Sequence, residues 1–352
     1  MHTRRSLVFT LCCFVGSACG PLDGADESGH DDSGDESVEA TEDDLSSAPK
    51  EFANPVFASS CPDPGVLKDG RTFYMVCTGG SFRIRKSTNL VDWEDTGKGI
   101  LPNGKAPWAS DGKRNWAPEI HKVARDNYVA YYTASDARGK LAIGLAHATS
   151  PEGPYTDLGE PLIQHDIGVI DANYFADDDG KKFLYWKVDG NQRRGGRTPI
   201  LVRELSSDGR SFKPGSTARE VFNNDASSWE GPLVEGTWVI KRDGFYYMFY
   251  SADVYDARYK TGVARASSPL GPFVRKGPAI LTNNATWVGP GHGSVVSKGG
   301  VDWFVHHARP TDGAGNAITE KGRYVVLSRL QWEDGWPSIE GGTTPVGPQK
   351  AP

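Results

Sequence analysis

The sequence predicts an all-β protein folded as a five-bladed β-propeller, and its composition and two repeating landmarks support that prediction. The 352 residues include 42 Gly and 23 Pro, and 11% are aromatic. Such a mixture is typical of many short strands joined by tight turns. No stretch longer than a turn or two has sustained helical periodicity, which argues against folds that place a helix between strands.

Both landmarks recur five times with a period near sixty residues. The first is a turn followed by an aromatic-rich strand, and its copies are 55 to 62 residues apart, starting at Phe73, Tyr128, Phe183, Phe245 and Trp303. The second is an aromatic residue after a short polar turn, at intervals of 57 to 62, namely Trp93, Tyr155, Phe212, Phe273 and Trp332. Two markers with one period indicate four-stranded blades arranged radially.

The N-terminal segment predicts export. Arg4 and Arg5 precede an apolar run over residues 7–15, and small residues then lead to Cys19, so residues 1–19 are expected to be a signal peptide. The run is too short to span a bilayer. Gly-Ser-Ala-Cys resembles a bacterial lipoprotein processing site, so two outcomes remain open: a membrane tether through a lipidated Cys19, or simple cleavage.

The segment after the signal is acidic and is expected to be a disordered linker over residues 20–50. It carries eleven Asp and Glu and no Lys or Arg between residues 23 and 44, too polar to form a core. From Glu51 onward there are 36 basic and 34 acidic residues, so nucleic acid is not an expected partner. The propeller is expected over residues 51–347, as a monomer that is secreted or lipid-anchored at the bacterial cell envelope.

Only two cysteines, Cys61 and Cys77, fall in the predicted propeller. They flank the turn at Asp69-Gly70 almost symmetrically, which places them roughly opposite each other on a hairpin. In an exported protein the pair could form a disulfide. Two small buried hydrophobic side chains are the alternative.

Each of the five units opens its first strand with one ionisable residue. These residues are 52 to 64 apart, namely Asp63, Glu119, Asp171, Glu235 and His292. Because the first strand of a propeller blade lines the channel, we expect them at one height around a single small volume. Grouping four acids is costly unless the site has a function.

Clustered carboxyl groups predict the chemistry of a glycosidase. Like charges resist joint ionisation, so one group can keep its proton as an acid while another remains a base. Hydrolysis of a glycosidic bond needs both.

The motifs in this chain resemble glycoside hydrolase family 43, the inverting arabinanases, α-L-arabinofuranosidases and β-xylosidases, from about residue 54 to residue 337. The resemblance implies that Asp63, in Cys-Pro-Asp-Pro-Gly, is the general base. It also implies that Asp171, ahead of Asp-Asp-Asp-Gly and an aromatic strand, adjusts the pKa and orientation of the acid.

Two glutamates compete for the role of general acid, Glu235 in Val-Glu-Gly-Thr and Glu230 in Trp-Glu-Gly-Pro. Glu235 lies nine residues before Gly244, which is the spacing from Asp171 to Gly180, so register favours Glu235. Thr237 departs from the family pattern, which usually has Pro there.

The resemblance also implies substrate contacts at Trp116, Glu119, His292 and Arg323. Trp116 is expected to stack on the apolar face of a sugar. His292 resembles an axial histidine that contacts a water cluster or, in some members, a calcium ion, and a structural histidine is the alternative. No cofactor is expected to be required, and calcium at the propeller axis is the one metal considered.

The expected function is therefore release of arabinose or xylose from plant arabinan or arabinoxylan, by exo or endo action. Two alternatives stay open. One is a retaining five-bladed glycosidase resembling invertase, although Pro-Asp-Pro-Gly departs from its Asn-Asp-Pro-Asn segment. The other is a non-catalytic propeller that binds carbohydrate or protein.

Overall fold

Twenty strands of the computed structural model, which describes residues 50–192 and 196–352, form five four-stranded antiparallel sheets. The five sheets are the blades of a β-propeller, as the sequence predicted. The predicted signal peptide, Cys19 and most of the predicted acidic linker lie outside the described residues. Within the described part, no helix is long and apolar enough to cross a membrane.

Each blade is a meander in which consecutive strands pair. Blade 1 contains β2 (Gly65–Asp69), β3 (Thr72–Val76), β4 (Arg83–Ser87) and β5 (Glu94–Gly99). Blade 2 contains β6 (Trp116–Ala124), β7 (Asn127–Ser135), β8 (Leu141–Ala148) and β9 (Thr156–Asp157). Blade 3 contains β10 (Val169–Ala176), β11 (Lys182–Val188), β12 (Ile200–Leu205) and β13 (Arg219–Phe222).

The last two blades repeat this order. Blade 4 contains β14 (Val234–Arg242), β15 (Phe245–Ala252), β16 (Lys260–Ala266) and β17 (Val274–Arg275). Blade 5 contains β18 (Trp287–Lys298), β19 (Val301–Pro310), β20 (Tyr324–Glu333) and β21 (Trp336–Ile339). Three short 3-10 helices cover Gly190–Gln192, Thr319–Lys321 and Glu340–Gly342.

A further pair of strands joins the two ends of the described chain. β1 (Glu51–Phe52) pairs antiparallel with β22 (Gln349–Lys350). The pairing extends past residue 347, where the sequence analysis ended the propeller, because Gln349 and Lys350 supply the partner for the first strand.

The aromatic-rich landmark is the second strand of each blade. In blade 4, Arg242 pairs with Phe245 across the two-residue turn Asp243-Gly244, whose φ angles are 49° and 79°. Positive φ at both positions is what a type I′ hairpin turn requires. The strand that follows is buried on both faces because each sheet packs against two neighbours.

Five hydrophobic clusters lie between neighbouring blades, including the one that joins blade 5 to blade 1. In that closing cluster Phe73 and Met75 of blade 1 pack with Trp303 and Val305 of blade 5. A blade therefore has no core of its own, and its apolar faces are buried only when the ring is complete.

Cys61 and Cys77 form a disulfide, with Cα atoms 5.2 Å apart. It joins the segment that enters blade 1 to the end of its second strand. Both sulfur atoms are also buried in the cluster that closes the ring. Of the two alternatives left open by the sequence, the structure has the disulfide.

Candidate active site

An irregular turn of backbone marks the start of the first strand in every blade. One residue there has positive φ, and in blades 2 to 5 the strand pairing is interrupted at the same point. The five equivalent residues are Asp63, Ala117, Asp171, Gly236 and His292. The bulge turns the local side chains out of the sheet and toward the channel mouth.

The five ionisable residues predicted to open the blades therefore do not all occupy the same place in their blades, contrary to the prediction from the sequence. Glu235 is one residue before its blade's bulge position, and Glu119 is two residues after its own. Asp63, Asp171 and His292 do occupy equivalent places. The sixty-residue period was right, but a period measured in residues cannot locate a bulge that shifts alignment by one or two.

A cavity of about 320 Å³ opens where the five bulges meet. Its lining draws side chains from all five blades, among them Asp63, Trp116, Asp171, Glu235, His292 and Arg323. The three carboxylates named as catalytic candidates therefore share one pocket. Three of the four predicted substrate contacts line it as well.

Glu119, the fourth predicted contact, lies outside this lining. Its carboxylate accepts a hydrogen bond from Asn173 Nδ2 at 3.1 Å and faces His121 Nε2 at 2.7 Å. It is buried deeper along the axis, where it links blades 2 and 3. Glu119 therefore does not join the other predicted substrate contacts at the cavity, and the cause is its two-residue offset from the bulge.

Asp63 is surrounded by hydrogen-bond donors and positive charge. Thr78 Oγ1 donates to its Oδ2 at 2.6 Å, and Arg323 Nη1 donates to its Oδ1 at 2.9 Å. His292 Nδ1 lies 3.3 Å from the same Oδ1. Burial acts to raise the pKa of Asp63, but Arg323 and His292 outweigh it and hold the pKa well below its usual range. Asp63 is therefore ionised at neutral pH.

The pKa of Asp171 is shifted in the opposite direction to that of Asp63. Its Oδ2 accepts a hydrogen bond from the backbone N–H of Gly236 at 3.0 Å, and its own N–H donates to Thr133 Oγ1 at 3.3 Å. Burial raises the pKa of Asp171 to about 7; the charge of His292 opposes the rise and that of Glu235 adds to it. Close carboxyl groups in a dry site hold a proton that a solvated pair would lose.

Glu235 is fixed through both carboxylate oxygens. Lys187 Nζ donates to Oε2 at 2.6 Å, and the Tyr259 hydroxyl donates to Oε1 at 3.0 Å. Lys187 is itself completely buried and has a second, longer contact of 3.6 Å with Asp189. Lys187 was not among the residues predicted from the sequence, although a lysine that ends the aromatic run Phe183-Leu-Tyr-Trp was a signal for it.

Glu230, the competing glutamate, lies outside the cavity lining. Both its oxygens are bound by Arg275, at 2.7 Å and 2.9 Å, and it also accepts from the Tyr250 hydroxyl and the Asp225 N–H. A fully buried carboxylate with four donors has no free position for a substrate. Glu230 and Arg275 therefore form a structural ion pair that also binds the backbone at Asp225.

The surroundings of His292 do not fit a calcium ion. Calcium prefers six to eight oxygen ligands, whereas Asp63 is bound by Arg323 and Glu235 by Lys187. Among the described residues, no group of three or more His, Cys, Asp or Glu side chains is placed to hold a metal. Burial lowers and the nearby carboxylates raise the pKa of His292, with a net rise.

His307 is a second histidine at Asp63 that sequence analysis did not identify. It is fully buried, its ring stacks on Tyr259 at 5.8 Å, and burial lowers its pKa to about 3, so it is neutral. Its Nδ1 accepts from the backbone N–H of Asp63 at 3.2 Å. It therefore supports the backbone of this segment.

The walls of the cavity combine aromatic and polar surfaces. Trp116 and Tyr255 contribute rings, and Tyr255 is 57% exposed at the rim. Asp189 contributes a partly buried carboxylate, and burial is the main cause of its raised pKa. Rings beside carboxylates are the combination that sugar-binding pockets use, because a sugar has an apolar C–H face and a polar edge.

Residues 52–337 match the model of one protein family, and the fold of the chain matches a solved structure of that family. This range matches the family model described as glycosyl hydrolases family 43. A crystal structure of a thermostable family-43 glycoside hydrolase is 31% identical, with a TM-score of 0.75, covering 86% of this chain and 99% of that one.

Two curated relatives are also more than 30% identical to the chain. The Aspergillus niger β-D-galactofuranosidase xynD is 32% identical over 280 residues, which are 73% of this chain and 76% of the relative. The Emericella nidulans arabinan endo-1,5-α-L-arabinosidase C is 31% identical over 335 residues, 84% of this chain and 97% of the relative.

Proposed function

The chain belongs to glycosyl hydrolase family 43, whose members are inverting glycoside hydrolases, and we propose that it releases arabinose or xylose from plant arabinan or arabinoxylan. One observation supports this most: Asp63, Asp171 and Glu235 line a single cavity at the propeller axis. The inverting family disfavours the retaining, invertase-like alternative, and a carboxylate pocket disfavours a purely structural propeller.

Asp63 is the proposed general base. It takes a proton from a water molecule as the water oxygen forms a bond to the anomeric carbon. A base must be ionised, and the cationic surroundings of Asp63 keep it so. The disulfide helps to hold Asp63 in place. Cys61 is two residues before Asp63, and Cys77 directly precedes Thr78, whose hydroxyl donates a hydrogen bond to the Asp63 carboxylate.

Glu235 is the proposed general acid. The bond between the anomeric carbon and the glycosidic oxygen breaks, its electron pair goes to that oxygen, and Glu235 supplies the proton the oxygen needs. Afterwards Glu235 is an anion and Asp63 is protonated, so solvent restores both. No metal or cofactor takes part in this scheme.

Asp171 is the proposed modulator of the acid. Its carboxyl group binds the backbone N–H of Gly236, the residue after Glu235. It therefore orients the segment that carries the acid. Burial raises the pKa of Asp171 itself to about 7, so this carboxyl group can hold a proton near neutral pH.

Trp116, His292 and Arg323 are the proposed substrate contacts. Trp116 supplies a ring for one face of the sugar, and His292 and Arg323 lie beside Asp63, where hydroxyl groups of the bound sugar are expected. Arabinose is the favoured sugar, because a relative that matches 84% of this chain is an arabinan endo-1,5-α-L-arabinosidase. Xylose is the second candidate.

A substrate panel tests the function. Purified protein is assayed on the 4-nitrophenyl glycosides of α-L-arabinofuranose, β-D-xylopyranose and β-D-galactofuranose, and on debranched arabinan. We expect arabinofuranoside or xyloside to be the best substrate, with loss of activity in Asp63→Asn. Preference for the galactofuranoside would move the specificity to that of the Aspergillus niger relative, and absence of all activity would refute the proposal.

Export is proposed from the N-terminal sequence, and Cys19 is proposed as a lipidation site. Expression in a bacterial host with a clickable fatty acid tests this directly. Label in the wild type and none in Cys19→Ser would support the tether, whereas an unlabelled protein in the medium would support simple cleavage. Size-exclusion chromatography with light scattering tests the expected monomer.

A further inference from the structure

Five side chains, four on the second strands and Thr78 two residues after its second strand, form a ring next to the bulges. Four of them accept a hydrogen bond from the backbone N–H of the bulge residue in the next blade. The pairs are Ala117 to Thr78 at 2.7 Å, Asp171 to Thr133 at 3.3 Å, His292 to Ser251 at 2.7 Å and Asp63 to His307 at 3.2 Å. This repeated bond ties each bulge to the preceding blade.

Lys187 occupies the fifth position of the ring and breaks the pattern. It pairs with Ile170 as Ser251 pairs with Glu235 and as His307 pairs with Gly291. A lysine ammonium has three donors and no acceptor, so it cannot bind the next N–H.

Two consequences follow at the junction of blades 3 and 4. The N–H of Gly236, left without a ring acceptor, donates to Asp171 Oδ2 at 3.0 Å. Lys187 turns its ammonium to Glu235 Oε2 at 2.6 Å. Because Lys187 is the exception to the five-fold pattern, Asp171 binds the Gly236 backbone and Glu235 binds the Lys187 ammonium.

Glu235 lies in an environment crowded with charge. The titratable groups facing it from blades 1, 3, 4 and 5 are Asp63, Asp171, Lys187, Asp189, Tyr259 and His292. Lys187 is fully buried, and an ammonium out of water is costly unless an anion compensates it. Its position is therefore explained only by the carboxylates it binds.

We propose that Lys187 is a positioning residue for the reaction, holding Glu235 through Oε2 and stabilising the carboxylate that remains when Glu235 gives its proton to the glycosidic oxygen. The inference rests on the proposed function. As the proton leaves, a negative charge appears in a pocket that already holds Asp63 and Asp171. A cation 2.6 Å away lowers the energy of that state more than the energy of the protonated one.

The test varies the leaving group, because only a role in acid catalysis depends on it. A 4-nitrophenolate leaves without protonation, whereas a sugar alcohol needs the acid. For Lys187→Met we expect kcat/KM on arabino- or xylo-oligosaccharides to fall about 100-fold, and on the matching nitrophenyl glycoside about fivefold or less. Glu235→Gln should show the same discrimination, more strongly.

A second readout is the pH profile. A nearby cation favours the ionised carboxylate, so the alkaline limb of kcat/KM on oligosaccharides should move to higher pH in Lys187→Met. Lys276→Met is the matched control, since Lys276 directly follows the last strand of blade 4 and donates to the Pro337 carbonyl of blade 5, away from the cavity lining. In this control, the ratio of kcat/KM on the two substrates and the position of the alkaline limb should both stay at their wild-type values.

Equal losses on both substrates with an unmoved profile would overturn the inference, whether or not Glu235→Gln discriminates. If the wild type cleaves neither substrate, the proposed function itself fails. Should Lys187→Met not fold, Lys187→Gln, which keeps a donor but not the charge, gives the same comparison: discrimination between leaving groups supports the role of the charge, and none refutes it.

Discussion

Replacing Glu230 and Glu235 with glutamine, one at a time, should separate stability from catalysis at two glutamates only five positions apart. Glu230 is fully buried and receives two hydrogen bonds from Arg275, one from Tyr250 and one from the Asp225 backbone. A glutamine keeps one acceptor oxygen but presents an N–H₂ group to donors. It also leaves the guanidinium without its counter-charge.

The magnitude follows from the burial of the pair. Removing one partner of a buried ion pair costs about 3 to 5 kcal/mol. We expect about 3 kcal/mol in Glu230→Gln, the low end, because the Arg275 side chain is 32% exposed and partly solvated. At about 2 °C per kcal/mol for a domain of this size, Tm should fall by about 6 °C.

The effect of Glu235→Gln is expected in the rate. Loss of a general acid lowers kcat by about 10² to 10⁴ on substrates with poor leaving groups. Reduced repulsion from Asp171 offsets the weaker pairing with Lys187, so the change in Tm should be smaller than in Glu230→Gln.

Scanning calorimetry and kcat on oligosaccharide, measured well below both melting temperatures, provide the comparison. A Glu230→Gln protein that is folded but inactive, beside an active Glu235→Gln protein, would refute the assignment of the acid.

Three further predictions concern the base, the modulator and the disulfide. Asp63→Asn should lower kcat by at least about 100-fold on every substrate, nitrophenyl glycosides included, since water activation is needed for all of them; azide rescue of such a folded variant would support the assignment, and near wild-type kcat would contradict it. Because the pKa of Asp171 is about 7 when folded and about 4 when unfolded, the folded state binds more protons between those values and loses stability as pH rises through them. The Tm of Asp171→Asn relative to wild type should thus increase from pH 4.5 to 7.5, and a constant difference would exclude the shift. Replacing Cys61 and Cys77 together by serine opens a link between residues 16 apart, which should cost about 3 kcal/mol in denaturant unfolding, and an unchanged midpoint would contradict this.

Several features could be predicted from the sequence because they depend on local chemistry that repeats. The aromatic strands and turns such as Asp243-Gly244 report the blades directly, so their number follows from counting. The convergence of Asp63, Asp171 and His292 follows from the same period, since radial repetition brings equivalent positions to one axis. Glu235 is one residue before the equivalent position and still lines the same cavity.

Other features depend on contacts between segments far apart in the chain. Glu119 lies outside the cavity because a bulge offsets it by two residues, a shift that no residue period reveals. Glu230 is occupied by Arg275, which is 45 residues away in the sequence.

The sequence by itself determined the class of this protein: a repeated β architecture, the family, and the acidic residues that meet at its axis. Only the tertiary structure decided the electrostatics of each group, for example that Asp63 is held ionised by Arg323 and that Lys187 binds Glu235. The physical reason is that a pKa depends on burial and on charges within a few ångströms. In a closed ring those neighbours come from other blades, so their distances exist only once the ring has formed.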